Sequence, residues 1–86
     1  MNKNELISIV KKKLTAGILI ENIIIEDKSF LHKDHSGNQE GKFHLKISLE
    51  SNELKKMDKI KSNKKIYRVL HKEIKEFIHS IQILIT

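Results

Sequence analysis

Two stretches of this sequence alternate apolar and polar residues with a period of two. In KFHLKISLES, Phe43, Leu45, Ile47 and Leu49 take every second place, with His44, Lys46, Ser48 and Glu50 between them; in SIQILIT, Ile81, Ile83 and Ile85 do the same. Successive side chains of a strand point to opposite faces, so these stretches predict strands over about 42–50 and 80–85, the first with one core face and one wet face. The second strand must enter a sheet, because so much exposed isoleucine would otherwise invite aggregation. The residues between the two have helical periodicity, so the connection is a crossover. It is expected to be right-handed and to lay its helices on one sheet face.

The remaining elements fit around that unit. Leu6, Ile7, Val10 and Leu14 recur at helical spacing, and either Asn2, three residues before Glu5, or Asn4 can cap the first helix, placed at about 4–15. Gly17, after the basic turn Lys11-Lys12-Lys13, is expected to take the left-handed cap. ENIIIEDKS is β-branched and predicts a largely buried strand at about 22–28, with Ile23 and Ile25 on one face and Ile24 on the other. SNELKKMDKI reads as a short helical turn. From Ser62 as N-cap, Ile66, Val69, Leu70, Ile74, Phe77 and Ile78 then outline an amphipathic helix over about 63–78. The expectation is a two-layer α+β sandwich in the order αββααβ, with a three-stranded mixed sheet, forming one domain over 1–86.

With no Cys, the chain has neither a disulfide nor a thiolate ligand or nucleophile, and its core must be aliphatic. The net charge of +6 suits an anionic partner, yet it is almost wholly lysine, spread evenly as an A+T-rich genome would encode it. Arg68 is the sole arginine, which argues against base-specific readout by guanidinium forks. There is no nucleophile elbow, phosphate-cradling glycine loop or paired-carboxylate signature, so the chain is not expected to be an enzyme. No stretch approaches a membrane span or a secretory apolar run, and a cytoplasmic protein without membrane contact, monomeric when alone, is expected. Between the first two strands lies an overlong polar loop carrying His32 and His35. Their His-x-x-His spacing lacks the four ligands that a structural zinc site needs.

Several motifs resemble the BolA family, whose fold is related to the type II KH domain. HLKISLES is similar to the family's strand motif, with His44, Lys46, Ile47 and Ser51 in place, Leu45 where the family has an aromatic residue, and Leu54 where it has Phe. SNKKIY matches the family's helix motif at Tyr67 and keeps positive charge at Lys64, while Ser62 and Asn63 depart from its Arg-His pair. IHSI is similar to Ile-His-Ala-Leu, which puts His79 on the family's most characteristic histidine. Counting back from His44 puts His35 on the loop histidine of the family's His-type branch.

The resemblance implies a non-enzymatic partner of a monothiol glutaredoxin that shares a bridging [2Fe–2S] cluster in iron–sulfur trafficking or iron sensing. His79 and His35 would be the ligands from this chain, with His32 the substitute for His35. The chain would bind no cluster alone, because the thiolates would come from the glutaredoxin cysteine and glutathione. At the join of helix and strand, His79 could instead cap terminal carbonyls. His44 is placed on the wet face as a neighbour, His71 has no motif behind it, and Tyr67 is expected in the core. The alternative is a DNA-binding transcription regulator that uses the KH-like fold and a lysine-rich helix face including Lys61, Lys64 and Lys65. No Gly-x-x-Gly clamp supports it, since Gly17, Gly37 and Gly41 never show that spacing.

Overall fold

The computed structural model describes residues 2–28 and 43–86. The order of elements is α1 (Lys3–Gly17), β1 (Asn22–Asp27), β2 (Phe43–Glu50), α2 (Asn52–Lys55), α3 (Lys59–Val69), α4 (His71–Glu76) and β3 (Ile78–Ile85). β2 is the central strand, antiparallel to β1 and parallel to β3, so the crossover expected from the two alternating stretches is present. The mixed α+β architecture and three-stranded sheet are as the periodicities predicted.

Leu45, Ile47 and Leu49 point from β2 into a core completed by Leu6, Val10 and Leu14 of α1, with Leu54, Ile66 and Leu70 from the crossover helices. Asn2 caps α1, its side-chain oxygen accepting from the Glu5 N–H at 2.8 Å, which settles the choice between the two asparagines. Glu5 takes the Asn2 side-chain amide at 3.1 Å, so the reciprocal backbone bond of a capping box is replaced by a side-chain bond. α1 runs beyond the expected end. Gly17 is its last residue, and Ile18 turns extended (φ −137°, ψ 140°) while its N–H donates to the Leu14 carbonyl. Burial of the Ile18 side chain ends the helix, and no left-handed glycine cap is formed.

Four further expectations are corrected. Ile23 and Ile25 are half-buried against the core, but β1 is an edge strand with an uncovered reverse face, so Ile24 is 55% exposed and the strand is not largely buried. The long crossover helix starts earlier, at an Asp58 cap whose carboxylate accepts from the Lys61 N–H at 2.8 Å. Ser62 lies inside α3, buried, its hydroxyl donating to the Lys59 carbonyl. The helical run also breaks at Leu70 (φ −100°, ψ 17°), a fully buried residue that anchors the bend, and α4 ends at Glu76, releasing Ile78 to β3. Tyr67 is 42% exposed, so the ring expected in the core lies at the surface instead. No helix among the described residues is long and apolar enough to cross a membrane.

Ser51 explains how the chain turns from β2 into α2. Its hydroxyl oxygen accepts from the Leu54 N–H at 3.2 Å and its O–H donates to the Leu19 carbonyl at 2.7 Å, tying the start of the crossover to the α1–β1 connection. A fully buried hydroxyl with both roles satisfied avoids the penalty that burial alone would impose.

Candidate functional site

The functional geometry is set by one irregularity in the sheet. β3 follows β2 in parallel register from His44↔Ser80 to Leu49↔Ile85, yet the preceding pair is Phe43↔Ile78. Between them β3 has one residue more than β2, and that residue is His79. Ile78 is buried toward the helices, as are the side chains of the core-facing odd positions from Ile81 onward in part. The extra residue reverses the alternation, as a bulge does when it re-aims a side chain.

Two consecutive residues of β3 therefore meet one residue of β2. The His79 ring lies edge-on to the His44 ring, with centroids 5.0 Å apart and planes at 62°. The Ser80 Oγ is 2.6 Å from His44 Nδ1, and it donates to a bare Nδ1 or accepts from a protonated one according to the tautomer. Alternation along β2 puts His44 on the wet face, but it is only 4% exposed. Its backbone carbonyl also accepts from the Lys28 N–H at 2.7 Å, where β1 runs out. Lys28, Lys46, Ser80 and Gln82 border a shallow depression beside it. His79 is exposed, with its ring against His44 in a strand, so it does not sit over the terminal carbonyls of α4.

His35 and His32 lie outside the described residues. Among the described residues no group of three or more His, Cys, Asp or Glu is placed to hold a metal ion. An exposed imidazole beside a buried one, with no cysteine in the chain, can give a metal centre a single nitrogen donor from this end of the sheet. Among the described residues, these side chains do not by themselves make a closed metal site.

The lysine face has its own geometry. Lys61 and Lys64 are exposed on α3, while Lys65 is half-buried and donates to Glu53 of α2 at 2.7 Å. Together with Arg68 they surround an apolar floor of Met57 and Val69. Arg68 completes an i, i+3/i+4, i+7 series from Lys61, a spacing visible in the sequence although only the lysines were singled out there. The Lys65 ammonium holds the Glu53 carboxyl below the usual carboxylate range, with a smaller contribution from the Leu19 backbone N–H.

Glu73 of α4 carries no signal in the sequence pattern. It is 3% exposed, and its Oε2 accepts from Lys13 Nζ of α1 at 2.6 Å. The pair spans 60 positions of sequence, a separation that local patterning cannot reveal.

A family model described as BolA-like protein matches residues 14–86. The fold is similar to the structure of BolA1 from Arabidopsis thaliana, with TM-score 0.77 and 22% identity over 93% of this chain and 88% of that one. It is also similar to the BolA domain of SufE1 from the same plant, with TM-score 0.78 and 20% identity over 100% of this chain and 93% of that one. The solution structure of BolA1 from Mus musculus gives TM-score 0.74 and 15% identity over 92% of this chain and 62% of that one. No curated protein matches the sequence.

Proposed function

The chain belongs to the BolA-like family, and from there we propose that it is a non-enzymatic partner of a monothiol glutaredoxin, lending His79 to a shared [2Fe–2S] cluster. The observation that supports this reading most is the bulge, which turns His79 out to solvent and sets its ring against the buried His44. An exposed imidazole held by a neighbour is a preorganised ligand, since side-chain freedom is given up before a partner arrives. Imidazole ligation in place of thiolate would raise the cluster's reduction potential and make its retention pH-dependent, properties suited to transfer or sensing. The thiolates would come from the glutaredoxin cysteine and glutathione, with His35 as the second donor of this chain and His32 as its substitute.

In this reading His44 is a positioning residue. Ser80 fixes its ring, and its ring fixes that of His79. The test is reconstitution of the heterocomplex with glutaredoxin, glutathione and iron–sulfur, followed by visible absorption and circular dichroism. His79→Ala should abolish the heterocomplex spectrum, and His44→Ala should weaken cluster retention by about 10–100-fold, the usual effect of losing a group that orients a ligand. An unchanged spectrum in a folded His79→Ala chain overturns the assignment.

A second reading rests on Lys61, Lys64, Lys65 and Arg68 sharing one face of α3. Such a face would contact duplex DNA phosphates and give binding that weakens steeply with salt. Titration of labelled duplex at two salt concentrations tests it. A dissociation constant no tighter than about 10⁻⁴ M near physiological salt removes it.

A further inference from the structure

The C-terminal half of β3 is separate from the histidines and raises a different question. Thr86 donates its N–H to the Leu49 carbonyl, and its own carbonyl accepts from the Ser51 N–H, so its backbone faces β2. Backbone direction alternates along a strand, which turns Leu84 and Gln82 toward β2 and turns the N–H and C=O groups of Ile81, Ile83 and Ile85 outward. β3 is an edge strand, and these outward groups make no hydrogen bond among the described residues.

Edges of this kind are normally blunted by charge, proline or short length. The opposite edge, β1, carries Glu26 and Asp27. β3 runs for eight residues with no charge and no proline, in a chain whose residues are 33% charged. Alongside it lies a groove whose apolar walls are Ile83 and Ile85 on the strand side and Leu54 and Met57 on the helix side, with Lys55 and Lys59 at the rim. Neither lysine has an ion pair among the described residues.

We propose that this edge and groove bind an extended segment of another protein, which adds a fourth strand beside β3 and carries an aliphatic side chain flanked at two-residue spacing by carboxylates. Main-chain bonds to Ile81, Ile83 and Ile85 would supply the pairing. Residues paired with those positions project to the helix side, where the aliphatic side chain meets Leu54 and Met57 and the carboxylates meet Lys55 and Lys59. Charge decides the occupant. A second copy of this chain carries +6, has no acidic residue in β3, and in β1 has no aliphatic residue with a carboxylate two positions away on both sides. A single nucleic-acid strand would want aromatic or guanidinium surfaces for its bases, and the groove wall is aliphatic.

The experiment follows the backbone amide signals of the isotopically labelled full chain as acetyl-Thr-Glu-Thr-Val-Thr-Glu-Thr-amide is added to about 1 mM, a range that detects weak pairing. Saturable movement of the Ile81, Ile83 and Ile85 signals is expected. Binding should weaken about tenfold or more when the two glutamates of the peptide become lysines, when its valine is N-methylated, and when the chain carries Lys55→Glu with Lys59→Glu. The proposal is overturned if those amides stay still, if the lysine peptide binds equally well, if an oligothymidylate moves them and the peptide does not, or if they shift with protein concentration in the absence of peptide.

Discussion

The two faces of β2 are sealed by different means. Toward the helices, Leu45, Ile47 and Leu49 are 2%, 0% and 2% exposed, each in a regular alternating place. On the reverse face Lys46 and Ser48 are half-buried and Glu50 is exposed, yet His44 is as well buried as the leucines. The first face is closed by aliphatic packing, which needs only the right period and volume. His44 is buried beside a bulge, where its ring is met by a hydroxyl and a second imidazole. A buried imidazole without such partners would be costly, so that corner depends on particular atoms rather than on a pattern.

The largest effect should fall on the patterned face. Ile47→Ala leaves a cavity on the central strand, in the core shared with α1 and the crossover helices, and should cost about 2–5 kcal/mol in urea unfolding. Ser48→Ala, next along the chain but on the reverse face, should stay within about 0.5 kcal/mol of wild type. Equal costs at the two positions would mean that the helix-covered face is not where the stability lies.

At the bulge the expected effects are smaller and more specific. Ser80→Ala removes the Oγ partner of His44 and should cost about 0.5–1.5 kcal/mol, the net worth of one hydrogen bond. His79→Ala removes an exposed ring and should change stability by no more than about 0.5 kcal/mol. That contrast separates a structural role from the proposed ligand role, because His79 should matter far more to the heterocomplex spectrum than to unfolding. A large unfolding penalty for His79→Ala would instead make it part of the fold.

This division also explains what was legible in the sequence. Period-two alternation located β2 and β3, and period-3.6 spacing located α1, because core burial imposes both. The motif IHSI singled out His79, but the slip that exposes it depends on how Phe43 and His44 are paired with β3, a non-local fact. The burial of His44 is not legible there, because alternation fixes the face a side chain takes and not what covers that face. Serine's preference for caps points to Ser62, while Asp58, which has the same preference, stands four residues earlier and holds the position. The join of α3 and α4 was invisible, since Leu70 continues the apolar period straight through the break.

The smallest expected effect lies at the outer rim of the helix layer, where Lys65 bonds Glu53 in a half-exposed pair. Being solvated, this contact should shift stability slightly, and its signature is the pH dependence rather than the size. The bond to Lys65 lowers the Glu53 pKa in the folded chain, so the unfolded chain takes up a proton first as the solution is acidified. The contribution is therefore fully present above the ordinary glutamate range and fades as pH falls through the lowered folded value. Lys65→Met should then sit slightly below wild type in urea midpoint at pH 7, and the two curves should converge as acidification protonates the carboxyl in the folded state as well as the unfolded one. Lys64→Met, which removes an exposed lysine with no ion pair among the described residues, should show no such convergence. A gap for Lys65→Met that persists unchanged throughout the acid titration would show that the lysine acts through its aliphatic stem against the helix surface and not through its charge.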